Sequence, residues 1–148
     1  MRIRTLLVAV AGVLMVLASA CSREAGPTPT GGGEDPGPSA LATKLRAITQ
    51  DVCYRAPGDI DPPKCQKYVT QLGSVPGQAR DYAKNEHPEL TSAADTLGKG
   101  LRAYNSGGCG DDPGASGDTE ACTQSLQDIA DALGDVQAGV RQLPEVSG

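Results

Sequence analysis

The side chains best able to do chemistry in this 148-residue sequence are its five cysteines, Cys21, Cys53, Cys65, Cys109 and Cys122. A thiol can close a disulfide, ligate a metal, attack a substrate or carry a lipid, and spacing helps to separate these uses. Eleven residues separate Cys53 from Cys65 and twelve separate Cys109 from Cys122, with no Cys-x2-Cys knuckle among them. Four cysteines could close a tetrahedral zinc site, but such sites commonly draw their ligands from knuckles of that kind. Disulfides are the better reading. A nucleophile would need a base, and the single histidine, His87, stands between Glu86 and Pro88, with Glu89 following. No nucleophile adjoins it, so it reads as a solvated turn residue. Gly-x-Ser-x-Gly, His-Glu-x-x-His and Cys-x-x-Cys-His are all absent, which leaves the familiar hydrolase motifs and haem attachment unsupported. The acidic stretch from Asp111 to Glu120 lacks the alternating carboxylates of a calcium loop and reads as a solvated connection. No catalytic residue, metal site or cofactor is expected.

The fifth cysteine follows a different kind of segment. Arg2 and Arg4 precede an apolar run from Leu6 to Leu17, and Ala18, Ser19 and Ala20 come next. This is the layout of a secretory signal peptide, and the run is shorter than the roughly 20 residues that a membrane span needs. Leu17-Ala18-Ser19-Ala20-Cys21 resembles the lipobox of bacterial lipoproteins, with Ala18 where Leu is usual. The resemblance covers residues 1–21 alone. It implies that residues 1–20 are removed and that the Cys21 thiol carries a diacylglycerol. The chain is then held at the cell membrane or outer envelope, facing away from the cytoplasm. Two acyl chains anchor firmly, at about 0.8 kcal/mol per buried CH₂. Ordinary cleavage after Ala20 would instead leave Cys21 as an odd thiol in an oxidising compartment.

Charge narrows the partners. The whole chain has thirteen basic and eighteen acidic residues, and two of the bases lie in the leader, so the remainder has a net charge of −7. Such a chain gains nothing from nucleic-acid phosphates, and nucleic-acid binding is not expected. There is no Phe or Trp and there are only four Tyr, so the core must be Leu, Val, Ile and Ala. A light core on a small domain is marginal, and disulfides are the usual remedy in exported proteins.

The elements that position these residues are helices. Residues 21–39 hold Pro27, Pro29, Pro36, Pro38 and Gly31-Gly32-Gly33 and no large apolar side chain. They read as a disordered tether with a reach of roughly 20–25 Å. A domain follows over residues 40–144, then a short tail, 145–148. Leu41, Leu45, Ile48 and Val52 recur at helical spacing, as do Leu90, Ala94, Leu97, Leu101 and Tyr104, and Cys122 through Leu143. A weaker segment, Cys65, Val69 and Leu72, is interrupted by Val75-Pro76-Gly77 and resumes at Ala79 and Ala83. Ser39, Asp61-Pro62, Pro88 and Asp118 or Thr119 mark helix starts, and Gly107-Gly108 and Pro144 mark ends. The expected fold is all-α, an up-and-down four-helix bundle.

An internal repeat supports this reading. Leu45-Arg46-Ala47 precedes Cys53 by eight residues, and Leu101-Arg102-Ala103 precedes Cys109 by eight. After the second cysteine of each unit, Val69 and Leu72 match Leu126 and Ile129, and both units end in Pro-Glu. Each unit reads as a helical hairpin with one cysteine at each side of its turn. That favours Cys53–Cys65 and Cys109–Cys122, although four cysteines allow three connectivities. Each loop would contribute about 3 kcal/mol in the chain-entropy account.

Both stapled loops would lie at one end of such a bundle, away from the tether. They carry Tyr54, Arg55, Asp59, Ile60 and Asp61 from one side and Asp111, Asp112, Asp118 and Glu120 from the other. Pinned loops on a scaffold are where binding residues collect. This acidic end is the candidate partner face, for a basic or cationic partner, protein or small ligand. The expected function is a non-enzymatic, membrane-anchored binding or interaction module. The alternative is an exported carrier of a small apolar ligand or an inhibitor of an exported enzyme.

Overall fold

A computed structural model describes residues 37–111 and 118–144. The chain divides into two units, Met1–Asp35 and Pro36–Gly148, and every described residue falls in the second. The leader, Cys21, the tether as far as residue 36, Asp112 and the tail 145–148 lie outside the described residues. Among the described residues there are helices and turns and no strand: α1 (Gly37–Ile48), α2 (Val52–Arg55), a 3-10 turn (Pro62–Cys65), α3 (Gln66–Leu72), α4 (Val75–Ala83), α5 (Pro88–Ser106) and α6 (Thr119–Arg141).

The first half is broken where a continuous stripe was expected. α1 begins at Gly37, two residues before the Ser39 expected to cap it, and buries Leu41, Leu45 and Ile48. It ends there. The Asp51 carboxylate accepts from the Cys53 amide at 2.8 Å and starts a new turn, α2. That local cap overrides the helical period. Val52, expected on the apolar stripe, is 53 % exposed, and Cys53 turns inward instead. The break expected around Pro76 falls earlier, at Gly73 and Ser74. Pro76 occupies the first turn of α4, where its missing N–H costs nothing. Ala79 and Ala83 remain fully buried beyond it.

The second half is two long helices joined by the second loop. Among the described residues, α5 and α6 share the most extensive interface. Gly100 faces Ile129 and Gly139 faces Leu90, so the two helices run antiparallel and close. An added Cβ would lie 3.0 Å from an Ile129 or a Leu90 carbon at these two positions. α4 lies antiparallel on α5, with Pro76 beside Gly98 and Arg80 paired to Asp95 at 2.8 Å. α1 packs on α4 and α6, and α2 on α6. One buried cluster joins all of them, and its largest members are Tyr68 and Tyr104.

Candidate functional site

The cysteines pair as Cys53–Cys65 and Cys109–Cys122, with Cα separations of 5.7 and 5.4 Å. All four are buried. The pairing that the hairpin argument favoured is the one found, each bond closing within one half of the chain. The halves also meet at these staples. Gln66, next to Cys65, places its side chain over Gly110, next to Cys109, leaving no room for a Cβ there. The Tyr104 hydroxyl donates to the Pro62 carbonyl oxygen at 2.6 Å. Through these contacts the surroundings of the two disulfides lie side by side.

The residues expected to form the partner face have unlike surroundings. Arg55, Asp59, Asp61, Asp111 and Glu120 are exposed. Asp118 is exposed too, but its carboxylate accepts from the Glu120 amide at 2.9 Å and caps α6. Tyr54 is half-buried, with its hydroxyl packed over Gly134 of α6, and Ile60 is also packed against the core. Asp112 lies outside the described residues.

Two phenols have altered proton affinity. Burial pushes the Tyr104 pKa up to about 12. Burial also raises that of Tyr68, with the nearby Tyr54 and Asp51 adding to the shift. Among the described residues, the Tyr68 hydroxyl has no hydrogen-bond partner. Neither environment was legible in the sequence, because each depends on packing between distant segments.

Hollows open on the surface among the described residues. A cleft of about 770 Å³ is lined by Lys44, Ala47 and Ile48 of α1, Gln50 and Asp51 after it, and Gln71 of α3. Its ammonium is already engaged, since Lys44 Nζ donates to Ser74 Oγ at 3.0 Å. The second hollow is a trough along α5 and α6, made of two parts of about 360 and 410 Å³ that share Thr96 and Asp135. Its α6 wall carries Asp128, Asp131 and Asp135. Sequence reasoning passed over these acids because they occupy the solvent side of an apolar stripe. The available signal was their own spacing, three then four, with no base between them.

Among the described residues, no three His, Cys, Asp or Glu side chains gather as a metal site requires. No described helix is long and apolar enough to cross a membrane. No protein-family model, curated protein or solved structure matches this chain.

Proposed function

We propose that this chain is an exported lipoprotein, anchored through Cys21, whose helical domain is a non-enzymatic binding module. The observation that carries the reading is how the cysteines divide. Cys53, Cys65, Cys109 and Cys122 are used up in two buried disulfides, and Cys21, in its lipobox-like sequence, is the one that remains. Disulfides persist in oxidising compartments, which agrees with export. The domain is an up-and-down four-helix bundle of two similar stapled hairpins. The antiparallel α4–α5 and α5–α6 contacts and the meeting of Gln66 with Gly110 beside the two disulfides support that arrangement. Its stapled end presents Arg55, Asp59, Asp61, Asp111 and Glu120 to solvent, for a basic partner.

Replacing Cys21 by Ala tests the anchor. The variant leaves the membrane fraction and appears in the medium or periplasm; unchanged retention refutes the lipoprotein reading. Charge reversal of Asp59, Asp61 and Asp111 to Lys tests the face. It abolishes retention of a partner captured from cell extract while the melting temperature holds. Capture that survives places recognition elsewhere.

One observation favours a second reading, a carrier of a small apolar ligand. The cleft beside Ile48 has a volume of about 770 Å³, within the range of small-molecule sites. Displacement of a fluorescent apolar probe, lost on replacing Ala47 by Trp, would support it; a probe bound equally by both proteins would not.

A further inference from the structure

Tyr68 carries a buried polar group that the packing leaves unexplained. The residue is 1 % exposed, and among the described residues its hydroxyl has no hydrogen-bond partner. Folded proteins pair nearly all such groups, and each exception calls for a reason. The place of the hydroxyl supplies one. Tyr68 stands three residues before Gln71 in α3, so the two share a helix face, and Gln71 lines the cleft of about 770 Å³. Burial raises the Tyr68 pKa, and the charges of Tyr54 and Asp51 add to the shift. The hydroxyl therefore lies within electrostatic reach of Asp51, which lines the same cleft. The Cys53 amide occupies Asp51 Oδ1 at 2.8 Å, which leaves the second carboxylate oxygen to accept from a ligand. Apolar groups stand beside these polar ones. Ala47 and Ile48 line the cleft. Val52, directly after Asp51, is the large apolar side chain that stays exposed among the described residues. The two charged side chains of the cleft are engaged, Lys44 with Ser74 Oγ and Asp51 with Cys53, and their charges balance. An apolar wall with a few converging polar groups is the usual form of a small-molecule site.

We infer that this cleft takes a neutral apolar molecule bearing one hydroxyl, a phenol or an alcohol, which accepts from Tyr68 and donates to Asp51. The body of the ligand lies against Ala47 and Ile48. The inference rests on the reading of the domain as a carrier of a small apolar ligand, and it names the class of that ligand. The Tyr68 hydroxyl is closed to solvent, so the exposed Gln50 and Gln71 side chains give way as the ligand enters. An ether or ketone accepts from Tyr68 but brings Asp51 no proton. A hydrocarbon leaves both groups unpaired, and sites built around such groups reject ligands that lack the matching one.

The test uses the purified, disulfide-bonded Cys21→Ala protein, isotope-labelled, with 4-propylphenol and propylbenzene as probes. Transfer from water favours the hydrocarbon, so a cleft that is merely apolar prefers propylbenzene. Here 4-propylphenol binds more tightly by about threefold or more and shifts the amide resonances of residues 47–52 and 68–72. Tyr68→Phe keeps the ring and reverses the order of the two probes. Asp51→Asn keeps the α2 cap through its carbonyl oxygen and weakens 4-propylphenol by about threefold or more. A smaller preference for 4-propylphenol, or the reverse preference, overturns the inference and leaves the apolar-carrier reading standing. Binding of neither probe overturns both. A preference that survives Tyr68→Phe, or resonance shifts confined to other residues, also overturns the inference and assigns the Tyr68 hydroxyl to a buried water.

Discussion

The hydroxyl of Tyr104 donates to the carbonyl oxygen of Pro62 at 2.6 Å, inside the core. It joins α5, in the second half of the chain, to the turn that leads into Cys65. Phenylalanine at this position keeps the ring and removes one of the bonds to the Pro62 carbonyl, whose oxygen also belongs to the Pro62–Cys65 3-10 turn. Tyr104→Phe therefore costs about 1 kcal/mol, the net worth of one hydrogen bond. The urea midpoint falls and the slope of the transition is unchanged. A loss of stability of only a few tenths of a kcal/mol would show that this bond contributes nothing net.

Alkaline pH acts on the same residue. A phenol whose folded pKa lies above its unfolded value binds its proton more tightly when folded. Its contribution is whole below the unfolded value and is lost as pH rises through the folded one. For Tyr104 that window runs from the ordinary value of 10.0 to about 12. Stability falls there by on the order of 1 kcal/mol per pH unit. Tyr68, raised in the same direction by burial, steepens the loss. Denaturation after a rapid pH jump, before disulfide exchange, measures it, and Tyr104→Phe makes the slope shallower. A slope identical in both proteins would contradict the assignment.

Tyr68 predicts the opposite behaviour at neutral pH. Its hydroxyl is buried and unpartnered, so Tyr68→Phe removes a desolvation cost and breaks no bond. Stability is unchanged or rises by about 1 kcal/mol. A loss on that scale would place a buried water on the hydroxyl.

Two glycines separate packing from propensity. At Gly77, in α4, an added Cβ meets nothing within 4 Å, and Ala gains about 0.5–1 kcal/mol of helix stability. Gly139, in α6, faces Leu90, with its Cβ and Cδ1 at 3.1 and 3.0 Å from such a methyl. Overpacking costs about 1–3 kcal/mol, so Gly139→Ala lowers the melting temperature and Gly77→Ala raises it. Equal shifts would mean that α5 and α6 are free to separate.

Much of the fold was legible because helices declare themselves by period. Leu90 to Tyr104 and Cys122 to Leu143 are stripes that the fold buries as read, and the cysteines pair as the hairpin argument favoured. Local hydrogen bonds and proline placement were harder. Val52 kept the period yet lies outside it, because one carboxylate, Asp51, starts a new turn. The break near Pro76 moved because proline suits a first turn as well as it ends a helix. The candidate face was legible as charge only. Asp118 and Thr119 both fit the cap of α6 from sequence, and the cap is Asp118, but nothing in composition shows that Tyr54 lies against α6. The Tyr104–Pro62 bond spans 42 residues and leaves no pattern at that separation.

The disulfides join cysteines that are neighbours in chain order, across 12 and 13 residues. On the proposed export route the chain crosses the membrane with its N-terminus leading. Cys53 and Cys65 emerge together well before Cys109 appears, so an oxidant on the far side first meets the native pair. The second pair follows with its predecessor already closed. The two thiols of a short loop meet in well under a microsecond, but forming the bond takes seconds or longer. That is the scale of the few seconds in which synthesis, at about 5–20 residues per second, delivers the next pair. The order of arrival thus favours the native connectivity among three wherever the oxidant acts faster than that delivery.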